Sequence, residues 1–382
     1  MKKIILSVLI MLLIGGFYSN MNAQNDILNI FKSGLSDLNK VANGYLTPAG
    51  NCFSAGLGSD WYNTAAVHKP FGFDLTIGAD IIQAPLSDQT FSLSGLTNLK
   101  TTDASMTSAP SFTGKGNGVE LNLMQPQFLS NGQSNPLYGR KIVSFNTPSG
   151  VSKYVPSASI QFTLGLPYIN DVSIRLVPTI TADGFKASLW GIGIKHNFKQ
   201  WIPALKVLPF DAAVALSYTK FDLKYSFSPD HLITPDQLVS NDLTYAADPS
   251  SNDYSNQAMK ISATAKSASI IFSKKLAFIT PYVGFGITNT SFDLSMVGNY
   301  PTLGDPVTTT EGGVTVAKKD DNGKYIMQIK NVTDPINISS SEVMTNATVG
   351  LRMKVLWIFS VHAQYAFQKY PVASVGFGIS IR

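Results

Sequence analysis

From Thr345 to Phe367 the odd positions are almost all apolar or aromatic: Ala347, Val349, Leu351, Met353, Val355, Trp357, Phe359, Val361, Ala363, Tyr365 and Phe367. Even positions such as Asn346, Thr348, Gly350, Arg352, Lys354, Ser360, His362 and Gln364 are polar or small. A period of two is that of a β-strand whose faces meet different surroundings. After residues 369–371 it resumes at Ala373, Val375, Phe377, Ile379 and Ile381.

The same alternation marks Phe71 to Ile81, Ala158 to Leu166, Val172 to Leu176, Trp190 to Ile194 and Ala212 to Leu216. Two further strands change phase part-way. Met259, Ile261 and Ala263 give way to Ala268, Ile270 and Phe272, and Val283, Phe285 and Ile287 to Phe292, Leu294 and Met296, which predicts a β-bulge near 265–267 and a similar irregularity in the next strand. Residues 90–96 and 119–123 are either one more strand pair or excursions in a long loop. Counting them gives about twelve strands, in a range of about ten to fourteen. Residues 314–318 and 324–330, joined at Asp320-Asp-Asn-Gly, are expected to project as a hairpin.

Ahead of the strands, Ile27, Phe31, Leu35, Leu38 and Tyr45 recur at helical spacing, which predicts an amphipathic helix over 25–46. Residues 47–64 are rich in Gly and small side chains, and irregular structure is expected there. They form either a linker or a compact plug that approaches a wall closely, with Tyr45, Asn51, Asp60, Trp61 and Tyr62 as candidate plug residues.

Lys2 and Lys3, the apolar run 4–17 and a polar stretch ending at Ala23 have the order of a secretory signal. The expected organisation is a signal peptide over 1–23, the helix and plug-like segment over 24–69, and a β-barrel over 70–382. No later run is long and apolar enough for a membrane helix, so any membrane crossing must use strands.

Two features favour an antiparallel transmembrane β-barrel over a soluble sandwich, which shares the alternation. The long connections 82–154, 228–256 and 298–340 fall on one side, and the short ones 167–171, 274–279 and near Leu356 on the other, as in outer-membrane barrels. Tyr168, Trp201, Tyr282, Trp357 and Tyr365 stand near strand ends, where an interfacial girdle belongs. The expected location is the outer membrane of a Gram-negative bacterium, with membrane lipid as partner.

Charged residues make up only 14% of the chain. The net charge of +5, or +3 without Lys2 and Lys3, is too weak a bias to indicate nucleic acid. Cys52 stands alone, which excludes an intrachain disulfide framework and a thiolate metal cluster.

In a barrel, the polar-face cations Arg175, Lys195, Lys260, Lys266, Arg352 and Lys354 are expected to face the lumen with His362 and Gln364. A cation on the lipid face near the bilayer centre costs about 2 to 4 kcal/mol. They either pair with carboxylates such as Asp26, Asp37 and Asp60 or form an electropositive constriction.

Ser360 beside His362 is the one arrangement that suggests hydrolysis, and a wet barrel interior contains the same neighbours, so no catalytic residue is assigned. No cofactor or metal is expected. The Asp-rich loop 228–256 lacks the spacing of a calcium loop and reads as a solvated acidic loop.

Asp171-Val-Ser-Ile-Arg-Leu-Val-Pro, Leu189-Trp-Gly-Ile-Gly-Ile-Lys-His, Pro209-Phe-Asp, Trp61-Tyr-Asn-Thr-Ala, His68-Lys-Pro-Phe-Gly-Phe-Asp and the ending Gly376-Phe-Gly-Ile-Ser-Ile-Arg resemble a family of uncharacterised outer-membrane proteins from Bacteroidetes-type bacteria. That resemblance implies fold and location. The ending also resembles the strand by which the barrel-assembly machinery engages its substrates.

A helix and Gly-rich segment before the strands is similar in layout to the long-chain fatty-acid transporter family, whose N-terminal hatch plugs the lumen. By that analogy the first expectation is a hatch-gated passive channel for a small hydrophobic or amphipathic solute, and not an enzyme. A structural or adhesive surface protein with a filled lumen is the alternative, and an outer-membrane lipid hydrolase the third.

Overall fold

The computed structural model describes residues 35–168, 170–239, 242–246, 253–356 and 358–381. The expected signal peptide, the start of the expected helix with Ile27 and Phe31, and also Asp26 and Trp357, lie outside these residues.

The alternating segments form ten strands: β1 (Phe73–Gln83), β2 (Tyr154–Leu166), β3 (Asn170–Ala182), β4 (Phe185–Asn197), β5 (Asp211–Ser226), β6 (Ala258–Ser273), β7 (Ile279–Val297), β8 (Ile336–Val355), β9 (Phe359–Phe367) and β10 (Val372–Ile381). Each pairs antiparallel with its sequence neighbours, and β1 pairs with β10, Phe73 opposite Ile381, to close the barrel. The barrel therefore has ten strands, not twelve. Thr90–Ser92 pairs with Ser108–Pro110, and Glu120–Met124 with Leu99–Thr101 and Lys141–Asn146, in small separate sheets. These pieces are too short to cross a bilayer, which takes about 9 to 11 residues per strand.

The connections 84–153, 227–257 and 298–335 share one end of the barrel, here the loop rim; 167–169, 198–210, 274–278 and 356–358 share the other, the turn rim. At the loop rim Asn299–Pro306 pairs with Tyr325–Thr333, which also takes Leu243–Tyr245. Of the hairpin expected over 314–330, the turn at 320–323 forms, with Lys319 bridged to Tyr325, but Val314–Ala317 pairs with Thr308–Glu311 instead. Gly312 and Gly313, with φ of 57° and 82°, supply the left-handed pair that a tight two-residue turn needs.

The two expected phase changes are not bulges. β6 stays in continuous register with β5 and β7 over its whole length, as does β7 with β8 over residues 279–296. What changes is the surroundings. Near the turn rim, outward Val283, Phe285 and Ile287 are apolar and inward Gly284, Gly286 and Thr288 are small or polar. Towards the loop rim, inward Phe292, Leu294 and Met296 are buried while outward Asn289, Ser291 and Asp293 are polar. A bulge does occur in β3, between Val177 and Ile180, where Pro178 cannot donate to the ladder.

The outward side chains nearer the turn rim make an apolar band, with Leu75, Ile77, Ile174, Ile192, Leu216, Ile270, Phe285, Leu351 and Phe377 all exposed. A band this continuous belongs to a barrel that sits in lipid. Tyr282, expected in an interfacial girdle, instead faces inward and is buried, whereas Tyr168 and Trp201 are exposed at the turn rim.

Helix α1 (Leu35–Leu57) runs through Pro48 and most of the Gly-rich stretch expected to be irregular. Proline costs a helix one hydrogen bond, and close packing offsets that loss. A Cβ at Gly50 would stand 2.3 Å from the Phe292 ring, and one at Gly56 2.7 Å from Ile82. Together, α1 and residues 58–72 contact inward-facing positions on β1 to β9.

Candidate functional site inside the barrel

Residues 57–69 leave α1 as irregular backbone, whose polar groups must find partners when buried. The wall supplies them. Thr219 Oγ1 donates to the Leu57 carbonyl at 3.0 Å, Ser267 Oγ to Gly58 at 3.0 Å and Gln161 Nε2 to Trp61 at 3.3 Å. Lys195 Nζ donates to the carbonyls of Thr64 and Ala66 at 3.2 and 3.1 Å, and Ser273 Oγ accepts from Ala65 N at 3.0 Å.

Arg175 spreads its guanidinium over the same turn. Nη1 and Nη2 donate to the carbonyls of Leu57 and Asp60, Nε donates to Gln161 Oε1 at 3.0 Å, and the plane lies 4.1 Å from the Trp61 ring. Trp61 in turn lies flat on β4, where a Cβ at Gly191 or Gly193 would come within 3.1 or 2.8 Å of its indole. The Trp-Gly-Ile-Gly-Ile motif therefore has two faces. Its glycines leave room for Trp61, and Trp190, Ile192 and Ile194 are exposed on the outward side.

Towards the turn rim a buried polar chain crosses the interior. Lys195 pairs with Asp171 at 3.0 Å, Asp171 accepts the His68 backbone N–H at 2.9 Å, and Arg352 pairs with Asp74 at 2.9 Å while also donating to Ser380. The His68 ring stands between the two carboxylates, 3.1 Å from Asp171 and 3.9 Å from Asp74. Asp60 meets His362 at 2.7 Å, and Gln364 Oε1 accepts from the buried Tyr282 hydroxyl at 3.0 Å. Tyr62 lies edge-on to Tyr282, with ring centroids 6.2 Å apart.

Arg175, Lys195, Arg352, Lys354, His362 and Gln364 are thus all at inward positions. Lys260 and Lys266 are not. They lie exposed on the outward face of β6, in its polar stretch towards the loop rim, where an outward lysine costs little because the apolar band has ended. Asp37 pairs with none of the cations; its carboxylate accepts the backbone N–H groups of Thr97, Asn98 and Leu99. Asn51 donates to the Tyr370 hydroxyl at 3.2 Å, and the Tyr45 hydroxyl donates to the Ser149 carbonyl at 3.0 Å.

The alternation had placed Asp74 on the polar face of β1, but Asp171 and His68 gave no sign of meeting. A Ser and a His two residues apart in a strand remain visible here, yet His362 and Ser360 are buried and His362 Nε2 is taken by Asp60. A cavity of about 20 Å³ remains beside Tyr62, Ser217, Ser269, Thr288 and Thr348, room for about one water.

A family model described as a family of unknown function, DUF6588, matches residues 1–381. The chain belongs to the DUF6588 family. A comparison with curated proteins finds no match.

Among solved structures, the N-terminal β-barrel domain of Pseudomonas aeruginosa OprF is 13% identical, with a TM-score of 0.22 over 56% of this chain and 98% of that one. Ail, the attachment invasion locus protein of Yersinia pestis, is 8% identical with a TM-score of 0.24, covering 82% and 99%. The translocator domain of the autotransporter NalP from Neisseria meningitidis is 9% identical with a TM-score of 0.29, covering 89% and 99%. Scores this low carry no argument about what a DUF6588 protein does, so the reading rests on the geometry.

Proposed function

We propose that this DUF6588 protein is an outer-membrane barrel that closes its interior with its own N-terminal segment and holds a folded loop assembly at the cell surface, in a structural or adhesive role. In this reading the loop rim, which carries the long connections, faces outside the cell and the turn rim, with the short ones, faces the periplasm, the arrangement of outer-membrane barrels. Export through the N-terminal signal and insertion through β10 belong to the same reading.

One observation carries it. Leu38, Val41 and Leu57 of α1 share a single core with Leu99, Leu121 and Phe145 of the loop sheets and with Phe221, Ile261, Phe292 and Ile338 of the wall. Burying each large side chain contributes about 1.5 to 3 kcal/mol, so drawing α1 out would break the loop assembly as well as open the barrel. Planar-bilayer recording of the intact protein tests this. No steady conductance is expected, and a stable open channel would overturn the reading.

A hatch-gated passive channel is the second reading, supported by the chemistry of residues 58–69. Several of their contacts with the wall are hydrogen bonds to the neutral side chains of Ser267, Ser273 and Gln161, which exchange for water at a modest net cost of about 0.5 to 1.5 kcal/mol each. Gly58 and Ser267 can test it as a cysteine pair in a Thr288→Ala background, since a Cβ on Gly58 would stand 3.1 Å from Ser267 Oγ and 2.6 Å from the Thr288 methyl that the background removes. Uptake of an amphipathic solute that stops when the pair is oxidised and returns on reduction would favour the hatch.

A further inference from the structure

On the outward face of the barrel, Lys224 of β5 stands directly opposite Lys186 of β4 on one side and Lys260 of β6 on the other. Directly opposed cross-strand side chains have Cβ atoms about 4.5 to 5.5 Å apart, and like charges there are destabilising. Lys266 stands nearby on β6, opposite Tyr218. Among the described residues these four lysines have no ion pair or side-chain hydrogen bond.

Two carboxylates share the surface and are otherwise engaged. Asp222 takes Lys220 at 3.3 Å and Ser262 at 2.9 Å, and Asp293 accepts from Ser339. The row therefore carries an uncompensated positive charge. It lacks the explanation available for Arg175 and Arg352, which hold neighbouring groups in place.

Its height on the barrel names the partner. Below it on the same strands lie exposed Ile192, Ile194, Leu216 and Ile270, and the apolar band ends at Trp190 and Tyr218, whose rings pack at 5.2 Å. A strand rises about 3.3 Å per residue and tilts by roughly 40°, so Lys224, with Lys186 and Lys260 directly opposite it, stands on the order of 15 Å beyond Tyr218, while Lys266 is opposite Tyr218 itself. The interval from Lys266 to Lys224 spans the head-group layer of the outer leaflet and the sugars just beyond it. Lysine stems can lie along the surface and bring each ammonium to a phosphate at any height in this interval.

We propose that Lys186, Lys224, Lys260 and Lys266 form a binding site for the phosphates of a phosphorylated glycolipid in the outer leaflet. Such a head group carries several phosphates on sugar rings, which suits charges spread over this height better than the single phosphate of a phospholipid. The inference rests on the reading that the loop rim faces outward from an outer membrane.

The test uses the full-length barrel in detergent, with diphosphorylated lipid A as the probe and retention read by native mass spectrometry. Wild type should retain lipid A. K186Q/K224Q/K260Q should bind it on the order of a hundredfold more weakly, and K100Q/K115Q/K141Q, which removes the same charge from exposed loop positions, should bind as wild type does. An unaltered heat-dependent gel mobility shows that the row variant is folded.

Equal retention by the row variant, or equal retention of dephosphorylated lipid A by wild type, would overturn the site. Failure of the barrel to enter lipid vesicles would instead overturn the membrane reading beneath it. A barrel that enters vesicles without phosphate selectivity removes the lysine site alone.

Discussion

Asp60 and His362 meet inside the barrel, Oδ1 to Nε2 at 2.7 Å, one on the segment that leaves α1 and the other on β9. Both side chains are almost wholly buried, so each is the other's substitute for water. His362→Ala leaves the Asp60 carboxylate buried without that partner, a loss of about 3 to 5 kcal/mol for a broken buried pair. The temperature at which the barrel unfolds on a heat-modifiability gel should fall accordingly. An unshifted transition would show that the pair does not hold the segment.

Gly376 of β10 lies beneath the same imidazole, where an added Cβ would be 2.1 Å from His362 Cε1. Gly376→Ala should cost about 1 to 3 kcal/mol through overpacking. Combined with His362→Ala it should cost less than the sum of the two, because the clash is gone. Strict additivity in urea unfolding would contradict this packing.

Arg175 holds two carbonyls, one amide oxygen and an indole face at once. A lysine offers a compact charge without the planar fork, so Arg175→Lys should fail to rescue Arg175→Ala. Both variants should lose about 2 kcal/mol or more of stability, the scale for broken hydrogen bonds to a charged group, and should expose residues 58–69 to limited proteolysis. Wild-type resistance in Arg175→Lys would mean that charge alone is enough.

The path of the chain through the barrel can be read by labelling. Lys40 is exposed near the loop rim, where its ammonium donates to the Gly95 carbonyl; Cys52 is fully buried between the helix and the wall; Phe71 is exposed at the turn rim. In intact cells a membrane-impermeant maleimide should label Lys40→Cys and leave Cys52 untouched. Phe71→Cys should react only after the outer membrane is permeabilised. Labelling of Phe71→Cys from outside would reverse the assigned orientation.

The sequence by itself determined the strands that form the wall, their two-faced character and the asymmetry of their connections. Alternation follows directly from the pleat, and a residue's face is fixed by its parity. It also placed Arg175, Lys195, Arg352, His362 and Gln364 at inward positions, because all lie on the polar side of strands that cross the apolar band.

Only the tertiary structure decided which medium each face meets along its length. β6 and β7 keep their register while outward positions pass from lipid to water and inward positions pass from a polar interior to the core around α1. In a one-dimensional pattern that exchange is indistinguishable from a bulge, and for this reason the pattern assigns Lys260 and Lys266 inward although they stand outside. The helix predicted over 25–46 forms over its described part, 35–46, but its continuation through 47–57 was equally illegible. Pro48, Gly50 and Gly56 argue against a helix in water, and the contacts that stabilise one, with Phe292 and Ile82, come from strands far away in sequence.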